Sequence, residues 1–351
     1  MKIIRKNKYS LVIILSVLLI YNRNFLYSSS CLYRFESPSL KIWEESYSYF
    51  NITEIKNNMS RQLFLKNKTE YYRRTRTKYL LLKHNVIYNE SKLVTFKDKL
   101  NWLIIHESPQ YKSFLADKIR LREYSKKVLG KDICVPILKI YDNAYDINFN
   151  ELPNKFILKY NHGSGFNIIC NDKKKLNFEN VIKKLNNWKN LNYGLINKEF
   201  QYLYIKRRIL VEKYLTNNII DYKVYCFNGS PKFILVKLFL KDRNNTILNN
   251  YYNIDWKLNN LETDKKGYIR DPNYKIDKPN NLKLMLEYAK LLSQEFVFVR
   301  VDFFEVKNKV YLGELTFSPA NALKKWKNKT DDLTLGNLLN LNKIKIYLYN
   351  K

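Results

Sequence analysis

The side chains best suited to chemistry lie in residues 296–319, FVFVRVDFFEVKNKVYLGELTFSP. Val297, Val299, Val301 and Phe303 alternate with Phe298, Arg300, Asp302 and Phe304. Lys307, Asn308 and Lys309 then supply a turn, and Val310, Leu312 and Leu315 carry a returning strand,. A strand this rich in valine and phenylalanine is buried on at least one face, yet it sets Arg300 and Asp302 on the same side, two residues apart,. The returning strand offers Glu314 and, two positions on, Thr316. A buried carboxylate is costly unless it is paired or binds a metal. Asp302 facing Glu314 across a hairpin therefore fits a hard-cation site. An ion pair from Arg300 to a carboxylate on a half-exposed sheet fits the same residues, and this stretch alone leaves both readings open.

A second chemical feature stands at residues 156–170. A strand ending in Lys159 runs into Tyr160-Asn161-His162-Gly163-Ser164-Gly165 and then into another strand, residues 167–170. Glycines at 163 and 165 let backbone amides approach phosphate oxygens, Ser164 adds a hydroxyl donor and Lys159 a cation. No Gly-Lys-Ser/Thr follows and the loop leads into a strand, so this is not a P-loop,. A Gly-rich hairpin turn explains the segment equally well, with His162 as a hydrogen-bonding loop residue. Further on, ILVEKYL (209–215) is an apolar strand interrupted by Glu212 and Lys213, with Tyr214 and Leu215 after them. DYKVYCF (221–227) puts Asp221, Lys223 and Tyr225 on one face, and Asn228-Gly229 turns the chain into a returning strand, 232–239,.

Other elements must hold these groups in place. Phe96, Leu100, Leu103 and Ile104 share a helical face, Ser108-Pro109 breaks that helix, and another is expected from Phe114 through Arg122 and Tyr124 to Gly130,. Residues 134–140 read as a strand that Pro136 places at its start or on an edge, and residues 178–188 read as helical,. Residues 37–94 show no sustained period and read as a stalk with one or two helices; Arg73, Arg74 and Arg76 there fit a solvated helix face better than an anionic contact,.

With 351 residues, 46% hydrophobic and 15% aromatic, the chain can bury a large core in two or three lobes,. Its 63 Lys and Arg against 32 Asp and Glu give a formal charge of +31, which favours polyanionic partners such as nucleotides, phospho-sugars or anionic lipid,. Lysine and asparagine are abundant throughout, and no RNA- or DNA-binding signature is present, so nucleic acid is not the expected partner,. Cys31, Cys134, Cys170 and Cys226 have no paired spacing and suggest no zinc site,. At the N-terminus Lys2, Arg5, Lys6 and Lys8 precede the apolar run LVIILSVLLIY,. That run is shorter than the roughly 20 residues of a bilayer span, which suits a signal peptide, although Phe25, Leu26 and Tyr27 resume apolar character and suit a membrane anchor,. Either would place the body of the protein outside the cytosol.

The order of these features resembles that of ATP-grasp ligases, and more narrowly the TupA-like ATP-grasp family, associated with teichuronopeptide and other surface-polysaccharide synthesis. The matching segments are TFKDKLNWL, LADKIRLREYSKKVLG, LPNKFILKYNHGSGFNII, ILVEKYL, DYKVYCFNGSPKFI, FVFVRVDFFEV and YLGELTFSP, spread over about residues 95–319. The resemblance implies an α+β fold of two lobes clasping ATP. Its parts would be a signal peptide or anchor at 1–30, a stalk or helical region at 31–94, a pre-ATP-grasp region at 95–155 and the ATP-grasp domain at 156–345. It implies that Lys159 and Lys223 hold the phosphates with Asp221 beside them. The loop His162, Gly163, Ser164 and Gly165 would cover them, and Glu212, Lys213, Tyr214 and Leu215 would line the adenine pocket. Asp302, Glu314 and Thr316 would hold magnesium, and Arg300, with Lys223, would stabilise the reacting group. The family commonly ends its metal strand with Glu-x-Asn, whereas this chain has Glu314-Leu315-Thr316, a weaker oxygen ligand; the expected glycine after Pro319 is also missing. The implied activity is amide formation between a carboxylate and an amine through an acyl phosphate, on a glycan or glycopeptide acceptor with an amino-acid-like partner. A glycan kinase and a non-catalytic nucleotide- or carbohydrate-binding module of the same fold are the alternatives.

Overall fold

Local signals account for most of the helices. The computed structural model describes residues 49–107, 109–217, 219–240 and 246–343, all within one compact unit; the apolar N-terminal run lies outside the described residues. Helix α1 (Asn58–Lys66) starts where the Asn57 side chain accepts the Ser60 amide, and α2 (Lys68–His84) where Asn67 accepts that of Glu70,. Helix α3 (Phe96–His106) opens on a reciprocal capping box between Thr95 and Asp98,. Among the described residues no helix is long and apolar enough to cross a membrane.

The single helix expected from Phe114 to Gly130 is instead two, α4 (Pro109–Ala116) and α5 (Leu121–Leu129). The cause is Asp117, which is buried; its Oδ1 accepts the Ile119 amide at 2.9 Å and the Asn161 side chain at 2.9 Å. A side chain bonded to the backbone two residues on competes with the helical ladder and stops it.

Strands β1 (Ile137–Tyr141), β2 (Phe156–Tyr160), β3 (Asn167–Cys170) and β4 (Ile209–Lys213) form a small antiparallel sheet in the order β1-β4-β2-β3, with Pro136 just before an edge strand. Helix α6 (Phe178–Lys189) covers it, burying Val181 and Leu185 among Phe156, Leu158, Ile209 and Val211. A short α7 (Tyr193–Asn197) follows. The larger sheet contains β5 (Asp221–Phe227), β6 (Ser230–Leu240), β7 (Thr246–Asn253) and β8 (Leu258–Asn259), with β9 (Tyr268–Ile269) parallel to β7. It is completed by β10 (Phe298–Val306) and β11 (Lys309–Thr316), in the order β11-β10-β5-β6-β7-β8. Two of its hairpins turn on pairs with positive φ, Asn228-Gly229 and Lys307-Asn308, as two-residue turns matched to strand twist require,.

One face of the large sheet buries Val224, Val236, Val299, Val301 and Phe303 against Met285, Ala289 and Leu292 of α8 (Leu282–Ser293). At one end of the other face Tyr225, Phe227, Phe233 and Phe298 meet Tyr71, Tyr72, Phe96 and Leu100 from α2 and α3. Helix α9 (Lys329–Leu338) closes against α3. The rest of that second face is polar.

Arg76 departs from expectation. Arg73 and Arg74 do pair with Glu70 at the surface, but Arg76 is fully buried. Its guanidinium donates to Asn101 Oδ1 (2.9 Å), the Asn197 carbonyl (3.1 Å), and Asn321 Oδ1 and carbonyl (2.6 and 2.7 Å). Tyr72, Arg76 and Leu80 follow one another at i, i+4 spacing on the buried side of α2, so Arg76 satisfies buried acceptors there instead of meeting solvent,.

Candidate active site

The polar face is assembled by strand register. Asp302 pairs with Glu314 on one side and Lys223 on the other, and Arg300 pairs with Thr316 and Tyr225. A bulge makes this possible: Phe303 pairs with Leu312, leaving Gly313 as an extra residue before Asp302 meets Glu314,. Strict alternation from Val310 and Leu312 would have turned Glu314 toward the core. A Cβ at position 313 would come within 2.8 Å of the Phe304 ring, so the extra residue is a glycine,.

Asp302 is 1% exposed and fully engaged. Its two oxygens accept from Arg300 Nε and Nη2, each at 2.6 Å, and Oδ2 also accepts from Lys223 Nζ at 2.7 Å. Lys223 in turn lies 3.2 Å from Asp221. Arg300 Nη2 reaches Glu314 Oε1 (3.2 Å) and Thr316 Oγ1 (3.0 Å), and the Thr316 hydroxyl donates to Glu314 at 2.9 Å. Burial alone would raise the Glu314 pKa, but Lys118, Arg300 and Lys223 outweigh it and hold this carboxyl well below its usual range,.

On the small sheet Lys159 and Glu212 form an ion pair at 2.5 Å. In the loop after β2, Gly165 takes a φ of 79°, which a side chain would oppose,. Ser164 reaches the cavity, whereas the His162 ring turns away: it is buried beside Tyr160 and Phe166, its Nε2 lies 3.2 Å from the Trp188 carbonyl, and burial pushes its pKa down to about 4. Lys118 links the two sheets. The helix break at Asp117 lets its ammonium donate to the Gly163 carbonyl at 3.2 Å, and burial lowers its pKa against the attraction of Glu314 and Glu212.

These parts surround a cavity of about 600 Å³, into which Ser164, Asp221, Lys223, Arg300, Glu314 and Thr316 all project. Asp302 lies beneath them. Glu212 to Leu215 do not line it; Lys213 to Leu215 begin the connection from the small sheet to the large one, where the Tyr214 hydroxyl donates to Asn217 at 2.8 Å. The far wall adds Glu199, Tyr193, Tyr202, Lys237 and Lys324. Glu199 is buried, accepts from Ser318 at 2.5 Å, interacts with Tyr193, and has its pKa pushed up to about 7 by burial. Nothing in the sequence pattern singles out Lys118, Glu199, Lys237 or Lys324. Lys118 lies in the segment LADKIRLREYSKKVLG, but only the break beside it aims it at the loop.

A scan against protein families matches the TupA-like ATPgrasp model over residues 98–340, more than half of the chain. The chain belongs to the TupA-like ATP-grasp family. Among solved structures this ATP-grasp chain matches D-alanine-D-alanine ligase from Helicobacter pylori at 18% identity, over 64% of this chain and 61% of that one, with a TM-score of 0.34. It also matches L-amino acid ligase from Bacillus licheniformis at 10% identity, over 74% and 57%, with a TM-score of 0.39. A biotin carboxylase from Campylobacter jejuni matches at 12% identity, over 77% and 52%, with a TM-score of 0.36. The chain thus spans less than two thirds of these ligases. No curated protein matches it.

The donor set of the ATP-grasp hairpin suits magnesium. The oxygens of Asp302, Glu314 and Thr316 all converge on the one Arg300 nitrogen, Nη2, so they share a centre that accepts positive charge. Among the described residues no group of three or more His, Cys, Asp and Glu side chains forms a metal cage. Two carboxylates and a hydroxyl are a set that magnesium completes with water and substrate phosphate.

Proposed function

We propose that this protein is an ATP- and magnesium-dependent ligase that joins a carboxylate to an amine, with a glycan or glycopeptide as acceptor and an amino-acid-like partner. The observation that carries the reading is the row Glu314, Asp302 and Lys223, with Arg300 beside it, facing Ser164 across one cavity and reached by Lys118 from behind the loop.

Each residue has a part in that reaction. Lys118, Lys159 and Lys223 neutralise phosphate oxygens, and the 163–165 backbone and Ser164 cover them. Asp302, Glu314 and Thr316 would hold magnesium, which would supply neutralisation of phosphate charge. The γ-phosphoryl moves from ATP to a carboxylate oxygen of the substrate, ADP is released, and Arg300 stabilises the negative oxygens beside it. The amine nitrogen then attacks the acyl carbon, the bond to phosphate oxygen breaks, and inorganic phosphate leaves. Glu199, with a pKa near neutrality and on the cavity wall, takes the proton that the nitrogen sheds,.

Calorimetric titration with magnesium and ATP tests the first step; absence of binding overturns the reading. Screening uronates against amino acids for ADP and phosphate release tests the rest. An amide product supports the ligase, a phosphorylated hydroxyl assigns a kinase, and binding with no turnover on any pair assigns a binding module. We further propose a surface-polysaccharide setting, and membrane association through residues 9–27, as signal or anchor, with the domain on the external side, a reading motivated by the basic and then apolar N-terminal sequence,.

A further inference from the structure

The half of the cavity formed by β6, β7 and the segment after β11 is built from cations that the reaction above does not use. Lys237 stands between Asp221 of β5 and Asn249 of β7 in the sheet, with its ammonium 4.9 Å from the centre of the Tyr268 ring. Lys324 donates to the Tyr225 hydroxyl at 2.8 Å and to the Tyr251 hydroxyl at 3.0 Å, which fixes its direction and leaves one ammonium proton uncommitted,. Both lysines line the cavity alongside Lys223 and Arg300.

The carboxylates on the β5, β10 and β11 side are already engaged, Asp221 with Lys223, Asp302 with Arg300 and Lys223, Glu314 with Arg300 and Thr316, and Glu199 accepts from Ser318, while the exposed Asp264 on the cavity rim forms no ion pair with either lysine. Among the described residues no ion pair is formed by Lys237 or Lys324. Burial pushes the Lys237 pKa down to about 7, and the charges of Lys223, Arg300 and Lys324 push the same way. Asn249 supplies an independent sign. It is 4% exposed, lines the same cavity, and its Oδ1 has no hydrogen-bond partner. Lysines with no carboxylate partner beside a buried acceptor with no donor leave hydrogen-bonding and charge capacity unused on both sides. A ligand that carries an anion next to a hydroxyl would satisfy all three at once.

We propose that Lys237, Lys324 and Asn249 form a subsite for a hydroxylated anion, a sugar carboxylate or sugar phosphate, carried by the acceptor at a position other than the group that reacts. This deepens the ligase reading and rests on it for the word acceptor; the subsite itself rests on the three side chains. The lysines would take the anion and the Asn249 oxygen the adjacent hydroxyl, so a neutral sugar would gain little from the site.

The test is calorimetric titration of glucuronate and of glucose 6-phosphate, with glucose as the neutral control, into protein saturated with magnesium and a non-hydrolysable ATP analogue. At least one anion should bind and glucose should not; the anion that binds identifies the source. Lys237→Met and Lys324→Gln should each weaken that anion about tenfold or more, the loss of one charge-assisted hydrogen bond, and change the analogue's affinity by less than about twofold. Lys237→Arg should retain binding, and thermal unfolding reports whether each variant is folded. The proposal is overturned if neither anion binds the wild type, if both lysine variants bind it unchanged, or if the analogue weakens as much as the anion, which would give these lysines to the nucleotide. If the analogue fails to bind at all, the ligase reading falls, and the same titrations without nucleotide still decide the subsite.

Discussion

Asp302 and Glu314 face each other in one proposed metal site, but they are not equivalent as targets. Asp302 neutralises two buried cations, so Asp302→Asn should cost roughly 3 kcal/mol of stability as well as activity,. A third of the Glu314 side chain is exposed, so Glu314→Gln is the cleaner substitution. It should lower phosphate release about 10²- to 10³-fold with little change in Tm; turnover close to wild type would remove the hairpin from the chemistry. Glu199 and His162 make a matched pair in pH. The carboxyl of Glu199 is raised from 4.5 to about 7, so its stabilising contribution is complete below pH 4.5 and is lost as pH rises through 7,. His162 is lowered from 6.5 to about 4, so its contribution is present above pH 6.5 and is lost as pH falls through 4,. Each swing is about 3 kcal/mol, and between pH 4.5 and 6.5 the two oppose. Glu199→Gln should therefore unmask a fall in stability from pH 6.5 to 4.5 that the wild type conceals. Denaturant titrations at half-unit pH steps would show it, and a profile unchanged by the substitution would count against both shifts.

The elements around the site differ in how openly the sequence declares them. Alternation marks β10, Asn228-Gly229 marks its turn and Thr95 with Asp98 marks the start of α3, because each depends on residues close in sequence. The bulge does not show in the pattern, since one extra glycine merely shifts buried residues from Val310 and Leu312 to Leu315 and Phe317. The break at Asp117 is also hidden: Leu115 and Ile119 stand four apart and Phe114 and Leu121 seven apart, as in a continuous helix, and only burial of the Asp117 carboxyl stops the helix. Arg76 could not be read locally, because its acceptors on Asn321 lie 245 positions away. Those bonds hold Ala320, Asn321 and Ala322 at φ values of 53°, 55° and 53°, a left-handed region that favours glycine,. A left-handed alanine costs about 1–2 kcal/mol, and glycine returns about 0.5–1 kcal/mol of that through its freer unfolded state. Ala320→Gly should thus stabilise by about 0.5 kcal/mol, read by denaturant midpoint, and a destabilised variant would show that the loop is unstrained. Arg76→Met, which leaves Asn101 Oδ1 and both Asn321 oxygens unmatched, should cost several times as much, about 3 kcal/mol,.

At the scale of the whole molecule, a formal charge of +31 favours anionic surfaces, and the proposed membrane association rests on a basic and then apolar N-terminal sequence,. If the body crosses, Asn51, Asn58 and Asn67, all exposed and each in an Asn-x-Ser/Thr sequence, should be glycosylated in a secretory pathway, and the domain should resist protease in sealed vesicles,. Digestion from the cytosolic side would reverse the orientation. The Arg76 contacts bear on another matter, where this protein can be divided. The family match begins at residue 98, yet Arg76 holds the loop at the rim of the cavity, Tyr72 shares a 2.9 Å hydrogen bond with Tyr204, and Glu54 pairs with Arg207 at 2.7 Å. Kinship and severability therefore cut the chain at different places. A fragment trimmed to the family limits would lose the partners of Asn321, Tyr204 and Arg207 together, and a portable form of this ATP-grasp protein has to begin near Phe50.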